Sequence, residues 1–449
     1  MVGRAVPRMD ARTLRVLGVG AATYLGRLGG ALALLINVPL ARTALDAERF
    51  GVWMMLSALM AFFAFADLGI GYAVQNRITA TLAADPAQRR ERLAREIVAG
   101  YACTSVLGFS LLLVWVVWWA VAADPTTLAG TVSPAQRGDV TAGLAAFAVW
   151  FALNLPAAFI QKIQLGAQDG WWVGVAQFVA SIATLAALPA VLHWGGGLAA
   201  LMTATLGVQV VVNVGSALWW LRGQHALPSL HLALADRTVV VALVRSGALF
   251  FALQLAAALA FQSDAIVISQ TLGPAAYGEF AVVQRPFLLI GAGLSAVIAG
   301  LWPAFADAFS RGDLQWARQA LFKAWWVVGA VTLLSVLALV LNMETVAVRW
   351  LHAAAVPSLA LSGSLAAWTL VEALGGVSGA CMNGANVLRL QLLFALVMAS
   401  LAFAGKWWAV AVWGLPGPVL ATLLAYLLVA VPGQLFIFRR LFSPLAARP

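Results

Sequence analysis

Charged and amide side chains set inside long apolar runs are the first chemistry this sequence offers. Arg27, Asn37, Gln254, Asp264, Arg285 and Glu372 all stand within such runs. A charge at mid-bilayer costs about 2.5–3.5 kcal/mol even on the gentlest scale, so such groups face a water-filled cavity or a partner. Arg27 and Arg285 are therefore expected to line a substrate path. The alternatives are a helix–helix clamp for Arg27 and snorkelling to the outer surface for Arg285. Glu372 could carry a coupling ion or serve as the static partner of an arginine. Asp67 opens Asp67–Leu68–Gly69–Ile70–Gly71 and reads equally as a functional acid or a helix-end partner. Asn154 and Gln161 share a helical face at i, i+7, with Pro156 between them, and Gln209 and Asn213 share another. Amides in such places line a path or bind helix to helix.

Other chemistries are missing. The four histidines, His193, His225, His231 and His352, lie in or beside expected loops without metal-ligand spacing. Cys103 and Cys381 suggest neither a metal site nor a disulfide framework. No phosphate-binding glycine loop and no serine elbow occurs. The expectation is binding and translocation, with no metal, no cofactor and no catalytic residue.

The elements that must hold these groups follow from composition. Of 449 residues, 63% are apolar by the AVILMFWYC count and 10% are charged. A soluble domain carries about 25% charged residues. The apolar excess must face lipid, which excludes a soluble enzyme, a disordered chain and a disulfide scaffold. Long continuous runs exclude a β-barrel, whose strands alternate over about ten residues. The formal charge is +10, from 27 Lys+Arg against 17 Asp+Glu. In a membrane protein this is the basic excess of cytoplasmic loops, so no nucleic-acid partner is expected. The first apolar run is too long for a signal peptide and lacks a cleavage-like end.

Reading about 20 apolar residues per crossing gives twelve spans: 17–41, 50–75, 97–122, 141–161, 171–192, 197–221, 239–269, 276–304, 324–341, 358–382, 388–411 and 416–437. With both termini cytoplasmic, twenty of the 27 Lys and Arg fall inside and five outside, namely Arg42, Arg49, Arg137, Arg349 and Lys406. Arg27 and Arg285 remain within spans. The longest inner segment, Asn76–Glu96, reads as a basic amphipathic surface stretch, and the longest outer one is Ala123–Val140. Neither leaves room for a folded soluble domain.

An internal repeat organises the spans. Leu45–Trp53 and Leu272–Phe280 both read Leu, four spacers, aromatic, Gly, one spacer, aromatic, at an offset of 227 from Phe50 to Tyr277. Six spans per half make a parallel repeat about an axis along the membrane normal. The expected fold is an all-α polytopic membrane protein of twelve transmembrane helices in two six-helix lobes, 1–225 and 226–449. The offset maps Arg27 to Gln254 and Asn37 to Asp264. Arg27 and Asn37 lie about 80° apart at about 100° per residue, on one face. Matched polar pairs predict a shared cavity wall.

The twelve-span plan, Phe50–Gly51, Tyr277–Gly278, Asp264 followed by Leu272–Gly273, Asp67–Leu68–Gly69 and Met382–Asn383–Gly384 resemble the polysaccharide transporters of the multidrug/oligosaccharidyl-lipid/polysaccharide exporter superfamily. The chain is most similar to their O-antigen and exopolysaccharide flippases. The resemblance implies two bundles in a V and a multi-pass place in a bacterial inner membrane. It implies an oligosaccharide on undecaprenyl diphosphate, moved from the cytoplasmic to the periplasmic leaflet by ion-coupled alternating access. Membrane lipids, and glycan polymerase machinery beyond them, would be the partners. Arg27 and Arg285 would meet the diphosphate, since guanidinium forks suit phosphate oxygens. Asn37, Gln254, Asn154 and Gln161 would bind the substrate, and Asp264, Glu372 or Asp67 would carry the coupling ion. A similar flippase of the peptidoglycan precursor has two further C-terminal helices, which the short tail after the twelfth span does not suggest. Two rivals stay open. A cation-coupled drug exporter of the same superfamily would favour an anionic aromatic cavity. An O-antigen polymerase or ligase would need a sizeable outer loop.

Overall fold

The computed structural model describes residues 11–83, 86–122, 124–223, 236–350 and 356–442, and among them every regular element is a helix. The first pass is α1 (Ala11–Ala44). The second is broken into α2 (Ala47–Phe62), a 3-10 turn (Phe63–Asp67) and α3 (Ile70–Ala83). Next come α4 (Pro86–Val121), α5 (Arg137–Gly166) and α6 (Trp171–His193). The sixth pass joins α7 (Leu198–Met202) to α8 (Val208–Gly223) through a π-turn. The seventh is broken into α9 (Arg237–Phe261) and α10 (Asp264–Leu272). Four single helices follow: α11 (Pro274–Ser310), α12 (Leu314–Leu341), α13 (Leu359–Gly384) and α14 (Leu388–Trp413). The last pass joins α15 (Gly417–Ala425) to α16 (Val431–Leu441) through the π-turn Tyr426–Ala430.

Ten helical stretches among the described residues are long and apolar enough to cross a membrane. The other two passes are α1, whose described apolar part Leu28–Ala44 is shorter, and the second, divided into helices of 16 and 14 residues. Large apolar side chains stand exposed along these helices: Phe109 is 69% exposed on α4, and Trp326 is 78% exposed on α12. Facing water, such surfaces would drive aggregation; facing acyl chains, they are ordinary.

Asn76–Glu96, expected as a surface segment, is helical where it is described, and this expectation is corrected. Asn76 lies in α3, which runs to Ala83, and Glu96 in α4, which starts at Pro86. Glu96 is buried, 3.3 Å from the Arg77 guanidinium and accepting a hydrogen bond from Thr81. Hydropathy marks where the oily layer ends, and helical hydrogen bonding continues beyond it. For the same reason Lys162, Arg245, Arg318 and Lys323, assigned to inner loops, lie within α5, α9 and α12.

The described chain forms two compact units. One is drawn from Met1–Asn37, Ala66–Ala123 and Ala142–Phe251, the other from Val38–Phe65, Asp124–Thr141 and Ala252–Pro449. In the first, α1 lies against α6 through small residues. A β-carbon on Gly29 would come within 2.9 Å of the Phe178 ring. On α4, Gly100 leaves room for the Phe159 ring of α5, and the core continues through Ile70, Val74, Ile160, Ile163 and Leu243. The break in the second pass has a local cause. Leu68 and Gly69 take positive φ (51° and 73°), and the Asp67 carboxylate accepts from the backbone N–H of Gly69 (2.9 Å) and of Gly71 (3.1 Å). These are the otherwise orphaned donors of the first turn of α3. Gly69 also lies so near α9 that a β-carbon would sit 2.2 Å from the Gly247 carbonyl oxygen.

In the second unit, α11 packs on α13 and on α2. The two copies of the nine-residue word meet here. A β-carbon on Gly51 would lie 1.8 Å from the Pro274 carbonyl oxygen, and one on Gly278 would lie 3.0 Å from the Gly51 α-carbon. Two glycines let the backbones touch, as small residues do at helix interfaces within lipid. Beside them Arg42 pairs with Glu279 and lies over the Phe50 ring at 5.3 Å. Gly51→Ala should therefore sharply lower the amount of folded protein recovered from membranes. Gly363→Ala, where nothing lies within 4 Å of an added β-carbon, should leave yield and thermal midpoint unchanged or slightly raised. Size-exclusion profiles and melting curves of the two variants check this.

Candidate functional site

Two helix faces build the site. On α11, Tyr277, Gln284, Leu288, Gly291, Ser295 and Trp302 recur at helical spacing; on α13, Leu365, Trp368, Glu372, Gly376, Gly379 and Asn383 do the same. With Ser57 and Ala61 of α2, the α9–α10 break and Thr422 of α15, they enclose a cavity of about 850 Å³, wholly within the second unit. Gly291 and Gly379 contribute by lacking side chains, since an added β-carbon at either would meet nothing within 4 Å. The volume lies within the range of small-ligand pockets, and the wall is mostly apolar with a few polar groups, as in such pockets.

Arg285 lines this cavity. Its Nη2 meets the Met54 sulfur at 4.0 Å and its Nε has no hydrogen-bond partner. No carboxylate among the described residues pairs with it. A guanidinium forks five donors into a plane and holds its charge at any physiological pH. Its Nε is therefore a buried donor left unsatisfied beside the cavity, and the guanidinium has no counter-charge among the described residues. Glu372 also lines the cavity, exposed to it and without a cation partner among the described residues. Trp368 stacks on Phe261 at the α9–α10 break, with centroids 5.5 Å apart. Aromatic faces of this kind accept the apolar side of a sugar ring.

Asp264 reaches the same cavity but is engaged, its Oδ1 lying 2.6 Å from the Lys406 ammonium. Lys406, assigned to an outer loop in the charge count, is instead fully buried within α14, and that placement is corrected. Position near the end of an apolar run drew it outward; burial against the oxygens of the α9–α10 break holds it in. The apolar run on both sides, Phe403 and Trp407–Trp408, was the signal available in the sequence.

The remaining expected residues do not gather at this cavity. Gln254 stands on α9 with a buried, unpartnered Nε2. Asn37 is buried in the first unit, donating to the Thr184 carbonyl at 3.5 Å. The Arg27 side chain lies outside the described residues. Asp67 caps α3. Asn154 and Gln161 belong to an amide cluster between α5 and α8. Gln161 donates to the Asn213 oxygen at 2.9 Å, and Asn213 donates to Asn154 at 3.4 Å. Gln209 donates to Asn213 as well, at 3.4 Å. This is the helix-to-helix alternative weighed for these amides. Among the described residues, no group of three or more His, Cys, Asp or Glu could hold a metal ion.

The sequence profile of the family described as polysaccharide biosynthesis protein matches residues 18–309. A protein of Yersinia pseudotuberculosis, described as a candidate O-antigen export protein, is 22% identical over 305 residues. That match spans 65% of this chain and 65% of the relative. Among solved structures, the fold is similar to an inward-facing multidrug resistance MATE family transporter of the MOP superfamily. The TM-score is 0.71 at 16% identity, over 99% of this chain and 97% of that one. An outward-facing structure described in the same terms gives a TM-score of 0.66 at 15% identity, over 95% of each chain. A MOP superfamily transporter from Pyrococcus furiosus, described by the reverse polarity of its binding pocket, gives 0.64 at 14% identity, over 97% and 96%. At these identities the likeness establishes the fold alone.

Because Gly291 and Gly379 make the cavity by absence, Gly379→Leu should fold normally and melt within a few degrees of the parent. It should also protect a cysteine placed at Thr369 from a water-soluble maleimide. Failure of the maleimide to label that cysteine even without the leucine would mean that the cavity is not wet.

Proposed function

Because the chain belongs to the polysaccharide biosynthesis protein family, we propose that it is a flippase of the bacterial inner membrane. It carries an oligosaccharide on undecaprenyl diphosphate from the cytoplasmic to the periplasmic leaflet. Its lobes are the halves 1–225 and 226–449, its termini are cytoplasmic, and its cycle is alternating access without catalysis. The observation that carries this reading is the guanidinium of Arg285, without a carboxylate partner among the described residues and with its Nε unsatisfied, in the wall of a large, mostly apolar cavity. A diphosphate offers the paired oxygens that a planar fork binds best. The isoprenoid tail stays in the oily layer while the head occupies the polar wall, with Trp368, Gln284 and Asn383 facing the sugars.

Coupling is assigned to Glu372. It stands open to the cavity, whereas Asp264 already holds the ammonium of Lys406 and Asp67 is occupied with backbone donors. An intramembrane carboxylate without a partner is the ordinary seat of a transported proton or alkali ion.

A drug exporter is the second reading, favoured by the two carboxylates, Asp264 and Glu372, that line the same cavity. The pairing of Asp264 with Lys406 cancels one of them, and the Arg285 guanidinium offsets the other, so the wall carries no net negative charge to draw an organic cation.

Arg285→Ala should reduce surface glycan at least about tenfold, the scale of losing one charge-assisted contact, with membrane levels unchanged. Arg285→Lys should recover part of it, because an ammonium binds phosphate as a point charge without the fork. Lipid-linked repeats should collect on the cytoplasmic side. Glu372→Gln should likewise cut surface glycan. Gel analysis of glycan and leaflet assay of the lipid-linked pool check these outcomes. Normal glycan in both variants, together with new drug sensitivity in a deletion strain, would transfer the assignment to the exporter.

A further inference from the structure

The most tightly held charge in the described chain is one the transport reading does not use. Lys406 is fully buried, and its Nζ touches three oxygens of the α9–α10 break. It donates to the Ala260 carbonyl at 2.7 Å and to Ser263 Oγ at 3.0 Å, and it lies 2.6 Å from Asp264 Oδ1. An ammonium has three N–H donors and no acceptor; two hydrogen bonds go to Ala260 and Ser263, and the Asp264 carboxylate lies in direct ion-pair contact. Each oxygen has its own reason to be there. The Ala260 carbonyl belongs to the last turn of α9, where carbonyls lose their helical partners. Ser263, itself fully buried, gives its own proton to the Leu259 carbonyl at 2.7 Å, which turns a lone pair toward Lys406. Asp264 supplies the counter-charge that a buried ammonium requires.

We propose that these three oxygens form a cage for a primary ammonium, with Lys406 as its tethered occupant. Emptied of the side chain, the cage binds a free primary alkylammonium ion. Lys406 is thus a positioning residue: it satisfies the broken end of α9 and fixes the Asp264 side of the cavity wall. The inference rests on the local geometry alone and stands whatever cargo the cavity carries.

Lys406→Ala deletes three methylenes and the ammonium, the atoms of n-propylammonium. The full chain is purified in detergent and its unfolding followed by tryptophan fluorescence. The alanine variant should melt several degrees below the parent, and n-propylammonium chloride should restore most of the loss. Tetramethylammonium chloride at equal ionic strength should not, because it has no N–H. Lys406→Met fills the space with an apolar chain and should melt low without responding to either salt. Asp264→Asn placed on Lys406→Ala should abolish the rescue. If the alanine variant survives purification only with n-propylammonium present, recovered yield is the readout and the same pattern is expected. A parent-like melting curve for Lys406→Ala, equal effects of the two salts, or no recovery with any amine would overturn the proposal.

Discussion

Within a bilayer every backbone and side-chain polar group must find its partner in the protein, because hydrocarbon offers none. An unbroken α-helix meets this demand by itself; a broken one does not. This chain breaks its second pass at Phe63–Gly69 and its seventh at Gln262–Ser263. Each break frees donors or acceptors, and each is closed by one ionisable side chain. At the first, Asp67 takes the N–H groups of Gly69 and Gly71. At the second, Lys406 reaches from α14 to the carbonyl of Ala260. The two repairs have opposite sign, as they must. The start of a helix presents donors and draws an anion, whereas its end presents acceptors and draws a cation.

The same demand sorts the embedded charges. Asp264 and Lys406 answer each other, and such a pair contributes little net stability although the loss of either member is costly. Glu96 is answered by Arg77 and Thr81. Among the described residues Arg285 and Glu372 have no counter-charge, and both line one cavity. The two breaks are closed within the protein, whereas these two charges lack a counter-charge among the described residues, and this contrast is what the proposed function rests on.

The passes were legible in the sequence because an apolar run of crossing length is a local signal. The close contact of Gly51 and Gly278 was not: the repeated word placed them at matched positions, and nothing in it required them to touch. The polar chemistry was less legible. Asp264, Arg285 and Glu372 look alike as letters, each a charge in an apolar run, and what distinguishes them lies far away along the chain. Lys406 stands 142 positions from Asp264 by number, and no periodicity connects α10 to α14. Helix ends were misplaced at Asn76–Glu96 because hydropathy reports solvent, not hydrogen bonding. Asn154, Gln161 and Asn213 had the right spacing for a cavity wall and equally for an interhelix seam. Only the position of α8 against α5 separates the two.

The distinction between an answered and an unanswered charge also bears on what kind of cargo suits the wall. Were Asp264 free, the cavity would carry two carboxylates against one guanidinium, and an organic cation would be its natural guest. Lys406 removes one negative charge without entering the cavity, so the wall is left with Arg285 and Glu372 in balance. A balanced wall repels neither an anionic head nor its neutral sugars. On the proposed function, a single proton or alkali ion on Glu372 would tip the net charge positive while it is bound. Binding of an anionic head and of that ion would then favour one another through plain Coulomb attraction, strengthened by the low dielectric of the surroundings. The burial of one lysine in α14 thereby decides the polarity of a cavity to which it contributes no surface.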